Sequence, residues 1–325
     1  MQRKSLFLLC LAVVITIAAH RLWGSGFDWY LFLASFRNLQ PGWLAASVLL
    51  TFLTYVSRAF RWQILLNPLK TVATGRLIST NVLGFSAIFV LGRAGEIVRP
   101  IWLTRLEQIP LTASVATILV ERFLDTMMLI VMFGVALLMV KVPATAGHTL
   151  VLMKNTAWVM VLISVGAMIV LFVLRSNIDR IVRYVRIVRL AAMLKNFSHG
   201  LTFLQRGRSL GMALAHSVGL WILVALQFWF MLLGMNLHFT FKGATLVMVG
   251  AAIGSIAQIP GIGGGFQAGY VLCMTTFFMV PAEQAIATSL VAWILSNVPT
   301  MAMAGLYMIS HGLSLKDLRT AEVAE

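Results

Sequence analysis

Cysteine is nearly missing from this 325-residue chain: there are two, Cys10 and Cys273, both inside apolar segments. That excludes a disulfide framework and a thiolate metal site. Charge is scarce too, at 11% of residues, and acidic side chains number ten against 25 lysines and arginines. Soluble domains carry about a quarter charged residues, so a soluble fold is excluded. The six histidines are scattered without metal-ligand spacing. His216 falls within an apolar run and reads as a satisfied polar residue. The sequence has no G-x-S-x-G elbow, no Cys/His pairing and no P-loop. Neither a metal nor an organic cofactor is expected.

What is present is hydrophobic sequence, 60% of the chain. A transmembrane helix needs about 20 apolar residues. Six segments reach that length: 5–22, 43–66, 111–140, 150–174, 209–234 and 282–310. Two more, 77–106 and 243–279, are apolar but broken near their middles by glycine or proline. Their halves are too short to span comfortably, which predicts re-entrant hairpins; spans broken mid-membrane are the rival. The fold class is therefore all-α, a polytopic integral membrane protein occupying 1–310, with a short tail at 311–325. The run after Arg3 and Lys4 lacks a small-residue cleavage site, since His20-Arg21-Leu22-Trp23 follows Ala18-Ala19. It reads as a retained span.

The net charge is +15. On a soluble protein this would suggest nucleic acid, but the distribution argues against that. Eight basic residues fall within 175–208, and others precede the first span and follow the second and last spans on the same side. By the positive-inside rule both termini are cytoplasmic. Arg175, Arg180, Arg183, Arg186 and Arg189, with isoleucine and valine between them, predict a basic amphipathic helix on the inner leaflet. It would attract anionic headgroups. With that orientation the two hairpins enter from opposite sides, each followed by a full span, an arrangement that suggests an inverted repeat.

Ionisable groups within a bilayer cost roughly 2.5–3.5 kcal/mol each on insertion scales, so those retained there are candidate functional residues. The first cluster is Leu91-Gly92-Arg93-Ala94-Gly95-Glu96-Ile97-Val98-Arg99-Pro100, at the break of the first hairpin. The second is Glu121-Arg122-x-x-Asp125, whose carboxylates share a helix face about 15 Å along their span. They could share a proton, or form a buried ion network with the first cluster that Asn81 could join. The third is Gln258-Ile259-Pro260-Gly261-Ile262-Gly263-Gly264-Gly265-Phe266-Gln267. Its glycines could make an anion-binding nest before a helix restarting at Phe266, or a tight helix crossover. No strand precedes it and no ribose-binding acid follows, so a dinucleotide fingerprint is excluded. Arg58 and Arg61, beside Trp62, read as an interfacial anchor or as a phosphate-binding pair.

These motifs, Asn81…Gly92-Arg93-Ala94-Gly95-Glu96-x-x-Arg99, Glu121-Arg122-x-x-Asp125 and Pro260-Gly261…Gly263-Gly264, resemble the lysylphosphatidylglycerol synthase transmembrane-region family, also called flippase-like domain proteins. The resemblance runs through nearly the whole chain. It implies an integral inner-membrane protein that moves or presents lipids, without the soluble aminoacyl-transferase domain some relatives carry. Two positions depart from the family pattern: Leu91 stands where a proline is common, and Gln267 where a glutamate is common. A neutral amide cannot carry a proton.

The expected function is lipid transport, with Arg93, Glu96, Arg99 and Asn81 on one hairpin and Gly261, Gly263, Gly264, Gly265 and Gln267 on the other contacting the headgroup. Glu121, Arg122 and Asp125 would form the buried polar network or exchange a proton. The expected partners are membrane lipids, anionic or phosphate-containing, and a lipid-synthesis or cell-envelope partner. The rivals are an intramembrane enzyme on a lipid-linked substrate, with Glu121 or Asp125 as general base, and a non-transporting member of a cell-envelope complex.

Overall fold

The structure, a computed structural model, describes residues 26–139, 147–185, 187–202, 206–259 and 263–312. The expected span at 5–22 and all but the start of the tail lie outside these. After a short helix α1 (Trp29–Ala34), capped by Asp28, Pro41 opens α2 (Pro41–Leu66). Its fixed φ suits a first helical position. The first hairpin is α3 (Thr74–Leu91), a 3-10 turn (Gly92–Ile97) and α4 (Val98–Glu107). Then come α5 (Leu111–Met139), α6 (Gly147–Tyr184), α7 (Val188–Gly200) and α8 (Gly207–Gly234). The second hairpin is α9 (Phe241–Gly254), a tip, and α10 (Gly265–Phe278), followed by α11 (Ala282–Ser310). The order of span, hairpin, span thus occurs twice. The all-α reading holds, apart from one two-residue antiparallel bridge in the second tip.

Four helices are long and apolar enough to cross a membrane: α2, α6, α8 and α11. Helix α5 is as long, at 29 residues, but carries Glu121, Arg122 and Asp125 in its middle. Many large apolar side chains face outward, Leu162 on α6 at 68% exposure among them. A soluble surface rarely carries such contiguous apolar area; here hydrocarbon takes the place of water.

Both interrupted segments fold back on themselves. In the first, the beginning of α3 and the end of α4 meet: Arg76 Nη1 and Lys70 Nζ lie 2.6 and 2.7 Å from the Glu107 carboxylate. Lys70 also donates to the Glu107 carbonyl oxygen at 2.8 Å. A chain that returns to its starting level is re-entrant rather than spanning. The two cations hold the Glu107 carboxyl below its usual pKa. A depressed carboxylate pKa contributes stability above the unfolded value, near 4.3, and loses it as pH falls through the folded value. Glu107→Gln is expected to lower the neutral-pH unfolding temperature modestly, because Lys70 and Arg76 are half-exposed. The deficit against wild type should vanish in acid, and a deficit independent of pH would reject the clamp.

The second hairpin is held backbone to backbone. A Cβ at Gly254 would run into the Gly265 carbonyl oxygen, one at Gly269 into the Gly250 carbonyl oxygen, and one at Gly250 into Cys273 Sγ. Its helices have 14 residues each, about 21 Å, shorter than the roughly 30 Å hydrocarbon core. At the tip, Gln258 pairs with Gly264 and Ile259 with Gly263. Gly264 takes φ +55°, where a side chain would be strained. The bridge lies alongside the 3-10 turn, so the two hairpin tips meet.

The basic stretch is divided. The apolar part of α6 ends at a kink close to the expected 174: Asn177 takes non-helical angles (φ −117°, ψ 16°), and its Nδ2 donates to the Val173 carbonyl oxygen. Arg180 and Arg183 follow on a separate helical segment that runs to Tyr184, whereas Arg189 falls on α7. The expected single basic helix is thus split between two segments. Helix α7 then docks on α5, with Gly200 against the Ala113 carbonyl group.

Candidate functional site

Helix α2 carries a polar stripe through an apolar helix: Ser47, Thr51, Thr54, Arg58 and Arg61. Alternating steps of four and three keep these residues on one face. The stripe faces inward. Ser47 Oγ donates to the Gln227 carbonyl oxygen on α8 at 3.0 Å, and Thr51 Oγ1 to the Leu295 carbonyl oxygen on α11 at 3.1 Å.

At the end of the stripe lies a cluster of ions. Arg61 is fully buried; its Nη1 donates to Asp125 Oδ1 at 2.7 Å and Ser217 Oγ at 3.1 Å, and its Nη2 to Glu121 Oε1 at 3.5 Å. Trp221 Nε1 also donates to Asp125 Oδ1, at 3.1 Å. Arg99 Nη2, from the first hairpin, donates to Glu121 Oε2 at 2.7 Å. Arg58 and Arg122 approach the other Asp125 oxygen, Oδ2, at 3.6 and 3.4 Å. The interfacial-anchor reading of Arg61 is thus overturned. Two carboxylates on α5 draw it inward, and burial without them would be prohibitive.

Aromatic rings complete the cluster. The Arg99 guanidinium lies 4.5 Å from the Trp62 ring centroid, while those of Arg58, Arg99 and Arg122 lie 5.0, 5.1 and 5.9 Å from that of Phe85. Such contacts are worth about 2 kcal/mol or more when desolvated. Trp62 Nε1 is satisfied by Thr117 Oγ1 at 3.0 Å. Gly84 is what admits Arg99, since a Cβ there would overlap the Arg99 side chain.

Beside the cluster lies a cavity of about 230 Å³. Arg58 is the cation in its wall, with hydroxyls and amides from Thr51, Thr54, Tyr55, Gln227, Ser255, Ser296 and Asn297. Phe85, Phe228, Phe266 and Trp293 supply the apolar lining. Both hairpins contribute, the first through Phe85, the second through Ser255 and Phe266. Pockets for whole drug-sized ligands run to about 300–1,000 Å³; this smaller space suits a headgroup whose chains remain outside.

The residues singled out from sequence fall into three groups. Arg99, Glu121, Arg122 and Asp125 come together, as an ion network whose carboxylates are held by arginines and make no hydrogen bond to each other among the described residues. Arg99 is spent inside that network and does not line the cavity. Asn81 is buried, but neither atom of its amide has a hydrogen-bond partner among the described residues, so it does not join the network. Glu96 is half-buried in the 3-10 turn. The backbone of Arg93 lies in the same turn; its side chain, like Gly261, lies outside the described residues. Gly263, Gly264 and Gly265 build the second tip, and Gly265 serves the tight crossover. Gln267 is partly buried, its Oε1 without a partner. Arg58 as a cavity wall was visible only as one of two alternatives. The helical spacing of the α2 stripe is the signal that favours it.

A comparison with curated proteins finds no significant match. A family model, that of the lysylphosphatidylglycerol synthase TM region, matches residues 7–304. The chain, a multi-pass membrane protein whose family is tied to lipid handling, belongs to the lysylphosphatidylglycerol synthase transmembrane-region family.

Proposed function

We propose that this protein moves or presents a polar lipid across the bilayer, receiving the headgroup in the cavity between the two hairpins. The observation that carries this reading is the cavity itself: a headgroup-sized polar space, walled by Arg58, inside a bundle whose outer surface is apolar. Arg58 holds the phosphate by charge-assisted hydrogen bonds. Arg93 and the glycine tip of the second hairpin meet the headgroup as it enters or leaves. The protein sits in the inner membrane with both termini cytoplasmic, in keeping with its basic loops, and the doubled span–hairpin–span order acts as an inverted repeat. An enzymatic role for Glu121 or Asp125 is disfavoured, because a general base must be free to take a proton and both carboxylates are occupied by guanidiniums.

The test is transport of labelled lipids in proteoliposomes. Arg58→Gln is expected to reduce movement at least about tenfold, the effect of losing about 1.4 kcal/mol of headgroup binding, while the protein remains inserted and monodisperse. Undiminished transport by that variant would remove Arg58 from the pathway.

A further inference from the structure

The ion cluster is not neutral. Among the described residues, four guanidiniums, Arg58, Arg61, Arg99 and Arg122, are held by two carboxylates, Glu121 and Asp125, a surplus of two positive charges. Arginine stays protonated in proteins, so the surplus cannot be relieved by losing a proton. Nor is it spread evenly. Arg61 and Arg99 each have a carboxylate oxygen at 2.7 Å. Arg58 and Arg122 share one oxygen, Asp125 Oδ2, at 3.6 and 3.4 Å, beyond the 2.7–2.9 Å of a good charge-assisted bond. Arg122 Nε is also buried without a hydrogen-bond partner. Both side chains lie over the Phe85 ring, and Phe85 and Arg58 line the cavity. The surplus therefore lies at and just behind the cavity wall: Arg58 lines the cavity, and Arg122 stands behind it on the Phe85 ring.

From this we infer that the cavity selects a doubly charged phosphate group, a monoester or a diphosphate, over the singly charged diester of ordinary phospholipids. The inference rests on the headgroup reading above and deepens it. A monoanion would leave one of the two surplus charges uncompensated, whereas a dianion neutralises the pair. Arg58 replaces its long contact to the shared oxygen with a direct one to phosphate, while Arg122 acts from behind the Phe85 ring through its charge. Such a group could belong to a lipid with a terminal phosphate or diphosphate, or to a free phosphate.

The ligand, not the protein, then sets the pH dependence. The ionisable wall groups are Tyr55 and Arg58 of α2; behind them stand Arg61, Arg99, Glu121, Arg122 and Asp125. The linings from α3, α8, α10 and α11 add no ionisable group. Glu96 lies in the hairpin tip outside the wall, and His216 of α8 stacks on Phe60 instead. A phosphate monoester passes from dianion to monoanion as pH falls through about 6.

The experiment uses the full chain in detergent micelles. Phosphatidic acid and phosphatidylglycerol with identical acyl chains are titrated in, binding being followed by tryptophan fluorescence, since Trp293 lines the cavity. Inorganic phosphate and pyrophosphate are titrated separately. At about pH 8 phosphatidic acid is expected to bind at least about tenfold more tightly, with the advantage collapsing toward about pH 5 as the monoester gains its proton. Arg58→Gln and, independently, Arg122→Gln should each erase the preference, and Arg58→Lys should keep part of it. Equal, pH-independent binding of the two lipids would overturn the dianion inference and leave the headgroup reading standing. Pyrophosphate binding without lipid binding would uphold the dianion and overturn the lipid source. Failure of all four probes with the folded wild type would overturn both readings.

Discussion

Asp125→Asn is expected to destabilise the protein by about 3–5 kcal/mol, the usual cost of breaking a buried ion pair from one side. Asp125 is a hub: Arg61 takes one of its oxygens at 2.7 Å, and Arg58 and Arg122 face the other. The amide keeps the shape and can still accept from Trp221, but it removes half of the negative charge in a cluster already too positive. Losing an arginine should hurt less, because surplus cations remain to hold the carboxylates. Arg61→Leu is thus expected to be milder than Asp125→Asn, and Arg58→Gln milder still. Adding Arg58→Gln to Asp125→Asn should restore part of the loss, since it removes an unmatched charge. Unfolding midpoints of the purified variants in micelles check this order. Equal loss from Asp125→Asn and Arg58→Gln would mean that packing, not charge, governs the cluster.

Gly269→Val should be nearly as damaging, for a different reason. Its side chain would enter the space of the Gly250 carbonyl group, and backbone cannot rotate aside as a flexible side chain can. Overpacking of this kind typically costs about 1–3 kcal/mol, and a β-branched residue at a backbone crossing falls at the upper end. The expected result is a sharp fall in folded yield on size exclusion and a lower unfolding temperature, with Gly269→Ala intermediate. Gly305 on α11 has open space where its Cβ would stand, so Gly305→Ala should be neutral or mildly stabilising. A tolerated valine at 269 would mean the hairpin halves are further apart than described.

The helices were legible because apolar length sets them. The segment expected at 282–310 is the helix Ala282–Ser310, and that expected at 111–140 is helical through Met139, where the described residues pause. The interrupted segments break at glycine-containing turns, at 92–97 in the first and, among the described residues, at 255–259 and 263–264 in the second. The end of the apolar part of α6, expected at 174, is marked by the kink at Asn177; the later break between Tyr184 and Val188 was not legible, because arginine propagates a helix as well as leucine does. The fate of Arg61 was hidden for another reason. Five residues from the end of α2, it has the linear surroundings of an anchor. Only the packing of α5 across that face brings two carboxylates to it. Glu121, Arg122 and Asp125 could be read as a cluster because they are close in sequence; Arg58 and Phe85 meet them only in three dimensions.

The two hairpins also differ in how they could move. The first is bolted to the bundle: its Arg99 is tied to Glu121, so shifting it means breaking a charge pair in a dry interior. The second keeps its tightest contacts to itself, glycine against glycine, and meets its neighbours largely through hydrocarbon side chains. Between helices in lipid, such surfaces have no water to exclude and little resistance to shear. The molecule therefore has one stiff wall and one compliant wall around the same cavity. In the lipid transport proposed above, opening toward either leaflet would be cheapest if the glycine hairpin slid as a rigid piston and the arginine hairpin stayed as its cylinder.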